Sequence, residues 1–145
     1  MKTIVFSSDH GGFVLKQQLI EYVESKGYKT LDLGPSNGEE SVSYALYGKK
    51  LATEISKNLD TQVGVGICGT GLGISYALNR SKKIRAARVC NTNDAMLAKQ
   101  HNNANVLVFG GRFTKLQDAK AMFDIFMETE FEGGRHISRI DELDK

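Results

Sequence analysis

Residues 62–79 read QVGVGICGTGLGISYALN, and a change of rhythm inside this stretch decides the architecture. Val63, Val65 and Ile67 form a compact apolar strand that ends at Cys68. Gly69, Gly71 and Gly73 then put three glycines into five positions, and a short helix is expected from Ile74 to Asn79. Strand, glycine turn and helix together are the unit of a parallel sheet, whose strands are covered on both faces by the helices that connect them.

The same unit recurs on either side. Upstream, Thr3 to Ser7 is β-branched and aromatic, Asp9, Gly11 and Gly12 make a turn, and Leu15, Leu19, Tyr22 and Val23 recur at helical spacing up to Gly27. Tyr28 to Leu33 is a second strand, closed by the turn cluster Gly34, Pro35, Ser36, Asn37 and Gly38, and Tyr44, Tyr47, Leu51 and Ile55 mark a second helix. Downstream, strands are expected at Ile84 to Val89 and Asn105 to Phe109, and helices from Asp94 to about Gln100 and from Thr114 to about Glu130. Five βα units predict one doubly wound, Rossmann/flavodoxin-like α/β domain over residues 1–145, a five-stranded parallel sheet with helices on both faces. The expected strand order is 2-1-3-4-5, or that of a six-stranded Rossmann variant short of one strand.

Composition narrows the function classes. With 41% apolar and 25% charged residues and one proline in 145, the chain is neither disordered nor a small disulfide scaffold. Nineteen Lys and Arg against 17 Asp and Glu leave a net charge of +2, too small for nucleic acid to be the main partner. Two cysteines, Cys68 and Cys90, are too few for a zinc site or a disulfide framework and fit a reducing compartment. The only apolar run near the N-terminus, Ile4 to Phe6, is far too short for a signal peptide or a membrane span, so the expectation is a cytoplasmic protein without membrane association.

Doubly wound sheets bind ligands at the carboxyl ends of their strands. The residues that fall there are Ser8 to Gly12, Cys68 to Gly73, Asn91 to Asp94 and Gly110 to Arg112. The loop after strand three offers backbone N–H groups at a helix start, suited to an anion, although its G-x-G-x-G spacing is not a dinucleotide fingerprint and the glycines serve tight packing equally well. Cys68 precedes that loop, in a position where a thiol becomes a base or nucleophile, although a cysteine at a strand end is more often an inert buried residue, which is how Cys90 reads. Asp9 reads as a helix cap, His10 and His101 as loop histidines, and Arg135, His136 and Arg139 as a basic tail able to fork one phosphate.

Taken together these blocks resemble the ribose-5-phosphate isomerase B family, which also contains the galactose-6-phosphate isomerase subunits. The resemblance rests on Ser8-Asp9-His10 with Gly12, Ile67 to Ser75, Gln100-His101-Asn102 with Asn105-Val106, Phe109 to Arg112, and Glu132 to His136 with Arg139. It implies an aldose–ketose isomerase acting on a phosphorylated sugar, ribose 5-phosphate and ribulose 5-phosphate, through a cis-enediolate, with no metal and no cofactor. Cys68 becomes the base that moves a proton between C1 and C2, with Thr70 beside it and the N–H groups of Gly69, Gly71, Leu72 and Gly73 on the enediolate. Asp9 and His101 become the ring-opening pair, His10, Arg112, Arg135 and Arg139 the phosphate site, and Tyr44 and Asn102 sugar contacts. Relatives without the cysteine use a glutamate a few residues on, where this chain has Ser75 and no acid. The family commonly shows Asp-Tyr-Pro where this chain has Ser43-Tyr44-Ala45, which keeps a hexose-6-phosphate isomerase subunit open as an alternative. A noncatalytic module for a nucleotide or flavin phosphate is the third reading.

Geometry adds a partner. His101 and Asn102 end the fourth helix and fall at the opposite sheet edge from Cys68, and a five-residue strand spans about 17 Å. A homodimer, or a dimer of dimers, with the active site shared between subunits is therefore expected. The Gly133-Gly134 stretch leaves open which subunit Arg135 and Arg139 serve.

Overall fold

The computed structural model describes all 145 residues. In chain order the elements are β1 (Thr3–Ser8), a 3-10 turn (His10–Gly12), α1 (Phe13–Ser25), β2 (Thr30–Asp32), α2 (Tyr44–Lys57), β3 (Gln62–Cys68), α3 (Leu72–Asn79), β4 (Ala86–Arg88), α4 (Thr92–Asn102), β5 (Val106–Gly110), α5 (Leu116–Glu128) and α6 (His136–Leu143). The five strands form one wholly parallel sheet.

The alternation of β3 decides what covers each face. Val63, Val65 and Ile67 join Ile4, Phe6, Leu107 and Phe109 under α1, α4 and α5. On the other face Val5, Val106 and Val108 pack under α2 and α3 through Leu51, Ile55, Ile74 and Leu78. Each such side chain removed from water contributes about 1.5–3 kcal/mol, so this two-sided burial holds the sheet between its helix layers. Helix α1 follows β1 to one face and α3 follows β3 to the other. The loops after these neighbouring strands part there, which makes the β1–β3 boundary the switch point.

The strand order is β2-β1-β3-β5-β4, a correction to the expected 2-1-3-4-5. The reason is visible in the sequences of the two strands. β5 carries Val106, Leu107, Val108 and Phe109, all fully buried, and takes the place between two neighbours. β4 is three residues long, half-exposed, ends in Arg88 and is left at the edge, where a charged side chain costs nothing. A second correction is α6: the segment read as a basic tail is a helix packed against α4. A third is Cys90, expected buried, which is exposed.

Candidate active site

Three loops meet at the carboxyl edge and are tied together through their backbones. The Asp9 N–H donates to Ile67 O at 3.1 Å, the Gly111 N–H to Cys68 O at 2.7 Å and the Arg112 N–H to Gly69 O at 3.0 Å. A methyl on Gly12 would lie 2.6 Å from the Ile67 carbonyl carbon, so the turn after β1 rests directly on the end of β3.

Cys68 ends β3, is 3% exposed, and its Sγ accepts a hydrogen bond from the Gly71 N–H at 3.2 Å. Gly71 opens α3 at φ +80°, a conformation natural to glycine, and in it the N–H turns back to the sulfur. Thr70 Oγ1 accepts from the Leu72 N–H at 3.2 Å, and the Thr70 carbonyl accepts from Arg88 Nε at 2.9 Å. Two loop N–H groups are thus already engaged, one of them on the sulfur. Over the loop lie a cation and a ring: a Cβ on Gly69 would sit 3.2 Å from Arg112 Cζ, and one on Gly73 would sit 2.5 Å from Tyr44 Cε1. Glycine at these two positions provides the seats for Arg112 and Tyr44.

Asp9 is buried, and its Oδ1 accepts from the Gly12 N–H at 3.1 Å, which is the expected cap. His10 Nδ1 accepts from the Val42 N–H at 3.1 Å, so the neutral ring carries its proton on Nε2 and presents that N–H as a donor. Ser43 caps α2, its Oγ accepting from the Ala45 and Leu46 N–H groups at 3.1 and 3.2 Å. Serine therefore fills the capping place an aspartate would take, and Tyr44 still starts the helix. The segment between β2 and α2 is fastened by Lys16, whose fully buried ammonium donates to Asp32 Oδ1 at 2.7 Å and to Pro35 O at 2.9 Å.

The remaining expected residues lie elsewhere. Gly64 pairs with Val106 and Cys68 with Gly110, so β5 runs four residues, roughly 13 Å, from the amino edge to the level of the sulfur. His101 and Asn102 precede β5 and sit at that amino edge. There the Glu132 N–H donates to Gln100 O at 2.9 Å, and the imidazoles of His101 and His136 stack with centroids 4.6 Å apart. Arg135 and Arg139 lie four residues apart at the start of α6, both exposed and on one helix face. Burial, and then the charges of His101 and Arg135, hold His136 below the ordinary histidine pKa. Asp144, just past α6, accepts from the Lys83 N–H at 3.0 Å and pairs with Arg85, which stretches α6 along this edge. A cleft of about 530 Å3 is also here, between Arg80, Lys83, Arg85, Asn102 and Leu143, and not over Cys68. Chemistry decides between them: the one carboxylate lining the cleft, Asp144, is taken up by Arg85 and the Lys83 N–H, whereas the carboxyl edge joins thiol, carboxylate, imidazole and guanidinium.

Two features escaped sequence reasoning. Arg88 on the Thr70 carbonyl has no local signal, because β4 was expected one place further in. Glu132 and His136 beside His101 have no local signal either, because Glu132 precedes α6 and the turn at Gly133 and Gly134, both at positive φ, brings it back against His136. No helix is long and apolar enough to cross a membrane.

The sequence model described as Ribose/Galactose Isomerase matches residues 4–143. The ribose-5-phosphate isomerase B of Escherichia coli K12 is 36% identical over 143 residues, covering 99% of this chain and 95% of that protein. The crystal structure of a ribose 5-phosphate isomerase from Thermotoga maritima superimposes with a TM-score of 0.95 at 42% identity, covering 99% of this chain and 97% of that one. The Mycoplasma genitalium ribose-5-phosphate isomerase B with bound ribulose-5-phosphate gives 0.93 at 38% identity, covering 97% and 93%. With a matching family model over nearly its whole length and relatives of this identity, the chain belongs to the ribose/galactose isomerase family.

Proposed function

We propose that the protein interconverts ribose 5-phosphate and ribulose 5-phosphate, with Cys68 as the base. The observation that carries this reading is the buried Cys68 Sγ receiving the Gly71 N–H at the switch point, between Arg112 and Tyr44. In the open-chain aldose the thiolate removes the C2 proton, the electron pair forms the C1–C2 double bond and the carbonyl oxygen becomes an oxyanion. Return of the proton to C1, with the O2 proton passed to O1, gives the ketose. The free N–H groups of the glycine loop, with Thr70, face the developing charge, and removing one such donor typically costs about 100-fold or more. Arg112 and the His10 Nε2–H are the phosphate donors on this side, and Tyr44 flanks the sugar. These are proton transfers only, and the proposal assigns them neither metal nor cofactor.

His101, Asn102, Arg135 and Arg139 belong to the same reading through a second copy of the chain. They lie together at the amino edge, so a partner that delivers His101 to the Asp9 and Cys68 of its neighbour delivers both arginines with it. A two-fold dimer then carries two equivalent composite sites. Exposed Leu72, Tyr76 and Phe113 around the Cys68 edge supply apolar surface for such a contact.

The test offers purified protein ribose 5-phosphate, ribulose 5-phosphate and galactose 6-phosphate and follows both directions. Turnover of the pentose pair, lost by orders of magnitude in Cys68→Ser with little change in KM, supports the proposal. Turnover of the hexose phosphate alone, or a Cys68→Ser protein with parental activity, overturns it.

A further inference from the structure

We infer that Glu132 is a positioning residue for His101, its carboxylate accepting the Nε2–H of that ring and so turning Nδ1 toward the substrate. The inference rests on the ring-opening role proposed for His101 with Asp9. Cyclic ribose 5-phosphate must open before C2 can lose a proton. The anomeric O–H proton passes to one member of the pair as C1=O forms. The ring oxygen, leaving with the C1–O bonding pair, takes a proton from the other. Which nitrogen of His101 takes part depends on what holds its opposite side.

Glu132 is held beside this ring by its own backbone, through its N–H on Gln100 O. Its Oε2 is 3.9 Å from His101 Nε2 and its Oε1 is 3.9 Å from His136 Nε2. The two imidazoles compete for one carboxylate, and the surroundings of His136 decide the outcome. Arg135 Nε donates to His136 Nε2 at 3.5 Å, which places the proton of that ring on Nδ1 and leaves Nε2 nothing to give. Burial keeps the same ring neutral. His101 is thus the ring with a proton for Glu132, and His136, 6% exposed, serves as a flat wall that fixes the plane of His101. Glu132 is about half-exposed and free to close the remaining distance, as catalytic contacts commonly do in the substrate complex. The three side chains also bring their donor atoms within 4.8 Å of one another. His136 Nε2 is, however, already taken by the Arg135 Nε–H, so a cation there would have to displace that guanidinium.

The two reaction directions separate this role from a structural one. In ribulose 5-phosphate the C5 oxygen is esterified, no five-membered ring can close, and the ketose enters open. Ribose 5-phosphate enters as a ring. Parent, Glu132→Ala, Glu132→Asp and His101→Ala proteins are compared for turnover from each side, with enough enzyme that free aldehyde is consumed faster than it reforms in solution. Glu132→Ala is expected to lose about 10- to 100-fold from ribose 5-phosphate, the range for losing a carboxylate that orients a histidine, and to change little from ribulose 5-phosphate. One equilibrium is respected because the assay is run away from it: once the free aldehyde is exhausted, the forward rate reads ring opening on the enzyme, which the reverse rate does not need. Glu132→Asp should recover much of the loss. Equal losses in both directions for Glu132→Ala, or none, overturn the inference when His101→Ala itself shows the split. If His101→Ala shows no split, the ring-opening assignment fails first and the inference falls with it.

Discussion

Replacing Gly12 by alanine adds one methyl group where the loops after β1 and β3 touch. Its Cβ would lie 2.6 Å from the Ile67 carbonyl carbon and 2.7 Å from Ile67 Cγ2, against about 3.4 Å for ordinary contact, so about 0.8 Å has to be found. The backbone of residue 12, at φ −102°, suits alanine, so the effect is contact alone and not conformational strain. Ile67 cannot yield freely, because its carbonyl holds the Asp9 N–H and its side chain is fully buried. The displacement passes to the next residue, Cys68. Overpacking of this kind costs about 1–3 kcal/mol, and for a chain of this size 2 kcal/mol lowers Tm by roughly 4–8 °C. A catalytic group moved by about 1 Å loses about 100-fold in rate, so kcat should fall far more than the folded fraction. Calorimetry and initial rates on ribose 5-phosphate read both numbers. A Gly12→Ala protein with the parental kcat would refute the claim that this contact sets the position of the sulfur.

Three further outcomes follow from the same contacts. Lys16→Met should cost about 2–3 kcal/mol in urea unfolding, below the 3–5 kcal/mol of a fully buried pair because Asp32 keeps a third of its side chain in water. It should also raise KM by loosening the segment that carries Val42 and Tyr44. Ser43→Ala should lose about 1 kcal/mol through the cap of α2, whereas Ser43→Asp should keep it. His136 is held below its ordinary value of 6.5, so the folded state favours the neutral ring and the unfolded chain binds the proton first. Its contribution is complete above about pH 6.5 and is lost as pH falls below it, so Tm should drop on acidification, and less steeply in His136→Phe.

The layers of the molecule were legible in its rhythm, because strands buried on both faces and helices with one apolar stripe leave different spacings. Their lateral order was not. The swap of β4 and β5 turns on which strand can bear exposure, a comparison of Ala86-Ala87-Arg88 with Val106 to Phe109 that no local pattern states. Of the site, Cys68 and the glycine loop stood out because chemistry and backbone freedom coincide in six consecutive residues. The seats of Arg112 on Gly69 and Tyr44 on Gly73, the Val42 donor on His10 and the approach of Glu132 and His136 to His101 join residues about 30 or more apart, and such contacts exist only once the chain is folded.

The composite site is tested most directly by mixing two inactive proteins, Cys68→Ala and His101→Ala, under conditions where subunits exchange. In a mixed dimer one site carries both lesions and the other carries neither. Half the dimers at random 1:1 exchange are mixed, so activity on ribose 5-phosphate should rise from near zero to about a quarter of the parental value. A mixture that stays inactive after mass spectrometry has shown the mixed dimer would contradict the sharing of Cys68 and His101 between two chains.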